Sequence, residues 1–452
     1  MNVLLIQPPG SEPLLDRIHI FEPLALEYLG AALKLDGHLP TILDARIEPD
    51  IEGALRRLRP ALVGITGFTS HVNIIKAIAA RLKAIDPALT VVVGGHHATV
   101  CPADFNDPAI DLVVIGEGCF TLRAIARQLE QGGGWQAVAG LGLPAAAGMV
   151  FTAARPLTGL DELPLPDRSL TARYRRHYFS EWYKPLASIR TSLGCTARCT
   201  FCALWALTGG NYLRRDPRKV VAELQTIAEK HVFFCDDEAM CDVRRMDRLA
   251  DLIRTAGIRK NYFLHARVDT IVDHPELFAK WAAIGLRQVF VGMEDFSDAR
   301  LTALKKGVTT AQQAQAVRIL DELGIMMYAS FMVDPDFSRA DFRSLAACIR
   351  RLKLKSAVFS VLTPLPGTEL HAARKGELLS RRPEHYDLLH ALLPTRLPAA
   401  EFYAELARLY RVAVPLRTLL GTLWRFGPRG LCLRLRLLGT FLQRVRSAHL
   451  DG

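Results

Sequence analysis

Gly194-Cys195-Thr196-Ala197-Arg198-Cys199-Thr200-Phe201-Cys202 sets three cysteines at x3 and x2 spacing in one short loop. Three thiolates are one too few for a closed site, because structural zinc and a fully ligated iron–sulfur cluster both take four protein ligands. On a four-iron cluster, a three-cysteine loop leaves one iron open to a small molecule, and an open iron is a reactive one. The next cysteine, Cys235, ends the apolar run Val232-Phe233-Phe234, which reads as a buried strand and keeps Cys235 in the core.

Working outward, the cysteine loop follows a strand-like run at Ala187–Thr191. Further strand-like runs come at Val232–Cys235, Tyr262–Ala266, Gln288–Val291, Met326–Val333 and Ala357–Leu362, with helical stretches between them such as Arg245–Ala256 and Ala311–Leu323. This alternation predicts a partial (β/α) barrel over residues 181–390, with functional groups at the strand C-termini. Upstream, residues 1–135 also alternate, with strands expected at Val3–Ile6, Thr41–Leu43, Leu62–Thr66, Thr90–Val93 and Leu112–Ile115. That pattern predicts a Rossmann-like, doubly wound parallel sheet, so the fold class is α/β throughout. Residues 136–180 are rich in glycine, proline and alanine and read as an irregular linker. Residues 391–452 read as a helical, basic C-terminal region.

Length and composition agree with an enzyme of several domains. The 452 residues are 50% hydrophobic, enough for more than one packed core. Nine cysteines, three of them grouped as ligands, point to a reducing compartment and not to disulfides. The opening Met1-Asn2-Val3-Leu4-Leu5-Ile6 lacks the basic start of an export signal, and no apolar run reaches the length of a membrane span, so the expectation is cytoplasmic. The net charge is +11, and its distribution is uneven: Leu406 to Leu450 contains no Asp or Glu while arginine recurs from Arg408 to Arg446. Leucines and aromatics interleave with those arginines. Two readings stay open for this stretch: peripheral contact with the inner face of an anionic membrane, or a helix pair packed on the barrel.

In the first domain, glycine turns follow the strand ends at Gly64 and Gly67, at Gly94-Gly95-His96-His97 and at Gly116-Glu117-Gly118, where open α/β sheets bind ligands. Gln7-Pro8-Pro9-Gly10 stands after the first strand, so neither a phosphate loop nor a dinucleotide fingerprint is present there.

The cysteine spacing, with Phe201 before the last cysteine, resembles the radical S-adenosylmethionine (radical SAM) superfamily. Membership implies a [4Fe-4S] cluster on Cys195, Cys199 and Cys202, with S-adenosyl-L-methionine (AdoMet) on the open iron and cleaved to a 5′-deoxyadenosyl radical. The same resemblance makes Asp236, Asp237 and Glu238, after the second barrel strand, candidates for the AdoMet ammonium. It makes Arg267 a candidate for the AdoMet carboxylate and Glu294 for the ribose. The element order of the first domain resembles the cobalamin-binding domain that precedes many radical SAM cores, with Thr66, Gly94, Gly95, His96, Gly116, Glu117 and Gly118 as its cofactor candidates. Where such domains carry Asp-x-His-x-x-Gly, this chain has Asp44-Ala45-Arg46-Ile47-Glu48-Pro49, so the histidine that ligates cobalt is missing.

Residues Cys195–Gly210, Phe233–Glu238 and Thr363–Thr368 are similar to the hopanoid C-3 methylase family of cobalamin-dependent radical SAM enzymes. That similarity implies methylation of an unactivated carbon of an apolar polycyclic lipid, with two AdoMet per turnover and an electron donor such as flavodoxin or ferredoxin. Three other readings compete: a ring-forming enzyme like the anaerobic magnesium-protoporphyrin monomethyl ester cyclase, a transfer-RNA methylthiotransferase, and a non-catalytic cobalamin or iron–sulfur sensor. The second needs a further cysteine trio near the N-terminus, where this chain offers only Cys101 and Cys119, so no nucleic-acid partner is expected.

Overall fold

The computed structural model describes all residues except 13–14, 182, 414–426, 429–431, 433–434, 437 and 451–452. Two compact units emerge, one made of residues 1–192 and 204–232, the other of residues 193–203 and 233–452.

The first unit is built on strands β1 (Asn2–Gln7), β2 (Leu39–Asp44), β3 (Leu62–Thr66), β4 (Thr90–Gly94) and β5 (Leu112–Val114). They pair in parallel in the order β2-β1-β3-β4-β5. Parallel strands are covered on both faces, so Val3–Ile6, Val91–Val93 and Leu112–Val114 read as apolar runs and not as alternations. Successive side chains divide between two cores. Leu4, Ile6, Val63, Ile65, Val91 and Val93 face one way with helix Val72–Ile85. Val3, Leu5, Leu62, Val92, Leu112 and Val114 face the other, with helices Leu24–Lys34 and Gly118–Gln131. Each fully buried aliphatic side chain is worth about 1.5–3 kcal/mol, so these two layers hold the unit together. The chain leaves β1 toward β2 and later returns to the other side of β1 as β3. This reversal opens a crevice at the strand C-termini.

Residues 136–180, expected to be an irregular linker, add two strands to this sheet. β6 (Leu141–Leu143) pairs antiparallel with β5, and β7 (Val150–Phe151) pairs antiparallel with β6. Both are short and set among glycine and alanine, which is why no strand pattern was legible. The segment ends in a 3-10 helix, Arg168–His177, whose arginines carry a buried ionic network. Arg168 binds Glu22 at 2.7 Å and Glu223 at 2.8 Å, Arg175 binds Glu229 at 2.7 Å, and Arg215 binds Glu223 at 2.9 Å. Arg175 also pairs with Glu22, and the Thr171 hydroxyl donates to Glu27.

The second sheet runs in chain order: β8 (Leu186–Ile189), β9 (His231–Phe234), β10 (Asn261–Ala266), β11 (Leu286–Glu294), β12 (Met326–Val333) and β13 (Ala357–Val361). The pairs β10–β11, β11–β12 and β12–β13 are parallel. Six strands in this order with helices between them make the partial barrel predicted from sequence. One sheet face packs against helices: Trp281 of helix Pro275–Ile284 meets Phe234 and Tyr262 edge-on, and Tyr410 of helix Ala399–Val412 meets Phe359. The opposite face holds Phe233, Phe263, His265, Phe290 and Tyr328 and is less completely covered.

In the C-terminal region, described residues 438–447 are helical, and Phe441 packs edge-on against Tyr410 at 4.7 Å with Val445 and Ala448 buried. This part is packed on the unit. Part of the arginine-rich stretch on which the membrane reading rests, including Arg417, Arg425, Arg429 and Arg434, lies outside the described residues.

Candidate functional site

In the second unit the cysteine loop is fastened by its backbone. Gly194, at φ +102°, donates its N–H to Asp237 Oδ2 at 2.9 Å. The Thr200 N–H donates to the Leu304 carbonyl at 3.1 Å, and the Thr200 carbonyl accepts from Leu370 N–H at 2.9 Å. Leu370 lies in the first turn of helix Glu369–Arg374, which follows the turn Thr363-Pro364-Leu365-Pro366-Gly367-Thr368, so this segment anchors the loop. Cys195, Cys199 and Cys202 are all half-buried. Burial pushes the Cys195 thiol up to about 11, and Glu238 adds to the rise.

Among the described residues, the trio whose ligand atoms lie within 4.8 Å of one another is His97, Cys101 and Asp104. The three loop cysteines do not gather so tightly. That spread suits the corners of a polynuclear cluster and not the shell of one zinc ion. In the tighter trio, His97 is already satisfied, with Thr69 Oγ1 at 3.0 Å from Nδ1 and Asp104 Oδ2 at 2.8 Å from Nε2.

The acids after β9 have separate environments. Asp236 is buried, and its carbonyl accepts from the His265 ring; burial holds that imidazole neutral, down at about 4. Asp237 is the acid that holds Gly194. Glu238 is only 2% exposed, its Oε1 has no hydrogen-bond partner, and burial pushes its carboxyl up to about 8. A buried carboxyl oxygen without a partner is costly and fits an incoming cation. Cys235 follows the last residue of β9 and is half-buried, so it is less enclosed than its apolar run implied.

Arg267 is already committed. It forks onto Asp269, with Nε to Oδ1 at 3.0 Å and Nη2 to Oδ2 at 2.9 Å, while Nη1 lies 3.8 Å from Cys199 Sγ. Its place is therefore beside a cysteine of the loop. Glu294, at the end of β11, binds Lys306 at 2.7 Å. Sequence reading missed Lys306, Asp269 and Cys241, whose Sγ lies 3.6 Å from Thr196 Oγ1. Lys305-Lys306 looks like an ordinary solvated charge pair, and neither Asp269 nor Cys241 belongs to a recognisable spacing.

Between the cysteine loop and the base of the sheet, the inner face is a wall of rings. Phe233 stacks on Phe263 at 4.8 Å, His265 meets Phe290 at 5.0 Å, and Phe290 meets Tyr328 edge-on at 5.6 Å. The register carries the wall on through Ser330, Met332 and Ser360. Among the described residues of this face from Phe233 to Tyr328, no Asp, Glu, Lys or Arg side chain interrupts it.

In the first unit, the strand-end crevice gathers the β3 and β4 turns. Gly95 has φ +101°, and a Cβ there would lie 2.6 Å from Thr66 Oγ1, so only glycine lets these turns meet. Phe68 is 62% exposed in the same turn, 5.9 Å from the His96 ring, whose Nδ1 has no partner. Gly116 has φ +80° and open space around it. An exposed ring, an imidazole nitrogen awaiting a partner and glycines with room above them fit a large planar cofactor such as cobalamin.

Two of the predicted cofactor residues have other occupations. Glu117 caps helix Gly118–Gln131 by accepting from the N–H groups of Cys119 and Phe120, and Gly118 lets that helix approach Leu29. Arg46, where the cobalt-ligating histidine would stand, forks onto Asp44 with Nε to Oδ1 at 2.8 Å and Nη2 to Oδ2 at 2.6 Å. A guanidinium has no free lone pair to give a metal.

Comparison with known proteins agrees with both halves. Residues 17–126 match the B12 binding domain family and residues 189–349 match the radical SAM superfamily. The chain is 31% identical over 402 residues to hopanoid C-3 methylase of Methylococcus capsulatus, covering 86% of this chain and 76% of the relative. It is 24% identical to the anaerobic magnesium-protoporphyrin IX monomethyl ester cyclase of Rubrivivax gelatinosus, covering 82% of this chain and 69% of the cyclase. In fold, it is similar to the radical S-adenosylmethionine methyltransferase TsrM from Kitasatospora setae, solved with cobalamin and a [4Fe-4S] cluster, with a TM-score of 0.71, 19% identity and 99% of each chain covered. The chain thus belongs to the cobalamin-dependent branch of the radical SAM superfamily, alongside its methyltransferases.

Proposed function

We propose that this methyltransferase acts on an unactivated carbon of an uncharged polycyclic lipid, with C-3 of a hopanoid as the target. The observation that carries the reading is the charge-free aromatic wall inside the second sheet, from Phe233 to Tyr328. A rigid apolar ring system desolvates at no cost against such a wall and gains from offset contact with its rings. A tetrapyrrole monoester keeps one ionised carboxylate, and burying that charge calls for an arginine or lysine partner. The wall has none, and His265 is held neutral. This supports the methylase reading over the cyclase reading, although both kinds of relative resemble the chain.

When bound, AdoMet on the cluster supplies the hydrogen-abstracting deoxyadenosyl group and cobalamin supplies the methyl group. The chain's own residues bind and orient. Cys195, Cys199 and Cys202 hold the cluster, with Asp237 fixing the loop's entry at Gly194. The unpartnered Oε1 of Glu238 accepts from the AdoMet ammonium, and Glu294 accepts from the ribose. Thr66, Gly94, Gly95, His96 and Gly116 line the cobalamin crevice. The reducing electron comes from a small donor protein of the flavodoxin or ferredoxin type. The ring wall keeps water from the reacting carbon.

The test is competition at the wall. A neutral pentacyclic triterpenoid should bind the cofactor-loaded protein more tightly than magnesium-protoporphyrin monomethyl ester, and Phe290→Arg should reverse the order. Tighter binding of the tetrapyrrole by the unmodified protein would favour the cyclase reading.

A further inference from the structure

Lys306 ends a short excursion after helix Asp298–Ala303, between Lys305 at φ +52° and Gly307 at φ +75°. Lysine is normally solvated, yet this one is 6% exposed, and its ammonium is 2.7 Å from Oε1 of Glu294, itself 7% exposed. Glu294 also sits at φ +63°, a left-handed conformation that a glutamate adopts only when its surroundings force it. Gly292 completes the arrangement. A Cβ there would lie 2.2 Å from Glu294 Oε1 and 2.8 Å from Lys306 Nζ, so the ion pair lies across the bare backbone of β11.

Burying an ion pair seldom adds net stability, so a pair held by a strained residue and a glycine floor is better explained by what it orients. The backbone of Lys306 has a second attachment. Its carbonyl accepts from Arg267 Nη2 at 2.6 Å, and Arg267 Nη1 is the group 3.8 Å from Cys199 Sγ. One residue therefore links the carboxylate at the end of β11 to the guanidinium beside the cysteine loop.

We propose that Lys306 is the positioning residue of the AdoMet pocket: its ammonium fixes one oxygen of Glu294, so that the other is aimed at the ribose hydroxyls, in register with the cysteine loop. This inference rests on the reading that Glu294 receives the ribose.

The experiment measures anaerobic binding of AdoMet and of its 2′-deoxyribose analogue to protein loaded with cluster and cobalamin, with iron content as a control. The unmodified protein should prefer AdoMet. Lys306→Met should weaken AdoMet by about tenfold, the loss of one hydrogen bond to a charged group, and the analogue by much less. Lys306→Arg should restore most of the preference. Equal weakening of both ligands, or no weakening, overturns the proposal. Should Lys306→Met fail to retain iron, Gly292→Ala displaces the pair without removing a charge; it too should erase the preference, and an unchanged preference contradicts the proposal. Glu294→Gln separates the two levels. Loss of preference there with none in Lys306→Met sinks the role of Lys306 alone, whereas no loss in Glu294→Gln sinks the ribose reading beneath it.

Discussion

Arg267 stands with Nη1 3.8 Å from the sulfur of Cys199 while Asp269 grips its Nε and Nη2, so a pinned cation sits beside a cysteine proposed to hold the cluster. A positive charge there favours the reduced cluster. At an effective dielectric of about 20, a unit charge at this range is worth about 4 kcal/mol, on the order of 170 mV for one electron. Arg267→Gln should keep its iron and shift the cluster midpoint potential to more negative values, as read by redox titration with electron paramagnetic resonance. An unchanged potential would mean that solvent already screens the guanidinium.

Cys241 lies beside the loop, against Thr196, and it tests whether the fourth corner is left open. Cys241 is engaged by Thr196 and is expected to be no ligand. Cys241→Ala should therefore bind four irons per chain, whereas Cys195→Ala, Cys199→Ala or Cys202→Ala should lose the four-iron signal and AdoMet cleavage together. Iron loss in Cys241→Ala would make that thiol the fourth ligand.

Arg46 is locked on Asp44 at the place of the missing cobalt ligand. Arg46→His restores a donor nitrogen there. In the cobalamin-loaded variant, the cobalt(II) resonance should acquire nitrogen coupling from the imidazole, and the unmodified protein should lack it. Identical spectra would place the cobalt elsewhere.

Glu27 gives a pH dependence with a definite sign. Burial, helped by the neighbouring Glu22, pushes its carboxyl from 4.5 up to about 8 in the folded protein. The folded state thus holds a proton that the unfolded state releases, so this group's contribution falls as pH rises from about 4.5 to about 8, by up to about 1.4 kcal/mol per unit. Glu27→Gln, which can still accept from Thr171, should flatten the fall in melting temperature over that range. A slope as steep as that of the unmodified protein would assign the effect to other groups.

The fold was readable where burial writes a long pattern. The runs Val3–Ile6 in β1, Leu62–Ile65 in β3 and Val91–Val93 in β4 carry no polar side chain because both sheet faces are covered. The cysteine loop was readable because three ligands must come from one short turn. What escaped notice depends on contacts between residues far apart in the chain. Leu141–Leu143 and Val150–Phe151 become strands only because β5 offers an edge. Glu117 looked like a crevice residue from its glycine neighbours, yet it is bound to the helix it starts. The separate tasks of Asp237 and Glu238 follow from the proximity of Gly194 to one and from the burial of the other, neither visible in Asp236-Asp237-Glu238 itself. Lys306 was hidden for the same reason, since its partner and its floor, Glu294 and Gly292, lie in another element.

The most direct measurement supplies AdoMet with a deuterated methyl group, cobalamin, a reductant and a neutral hopanoid to the anaerobically loaded protein, and follows lipid mass together with 5′-deoxyadenosine. One deuterated methyl per modified lipid and stoichiometric 5′-deoxyadenosine are expected, both abolished in Cys199→Ala. Formation of 5′-deoxyadenosine with an unmethylated, oxidised or cyclised product would contradict it.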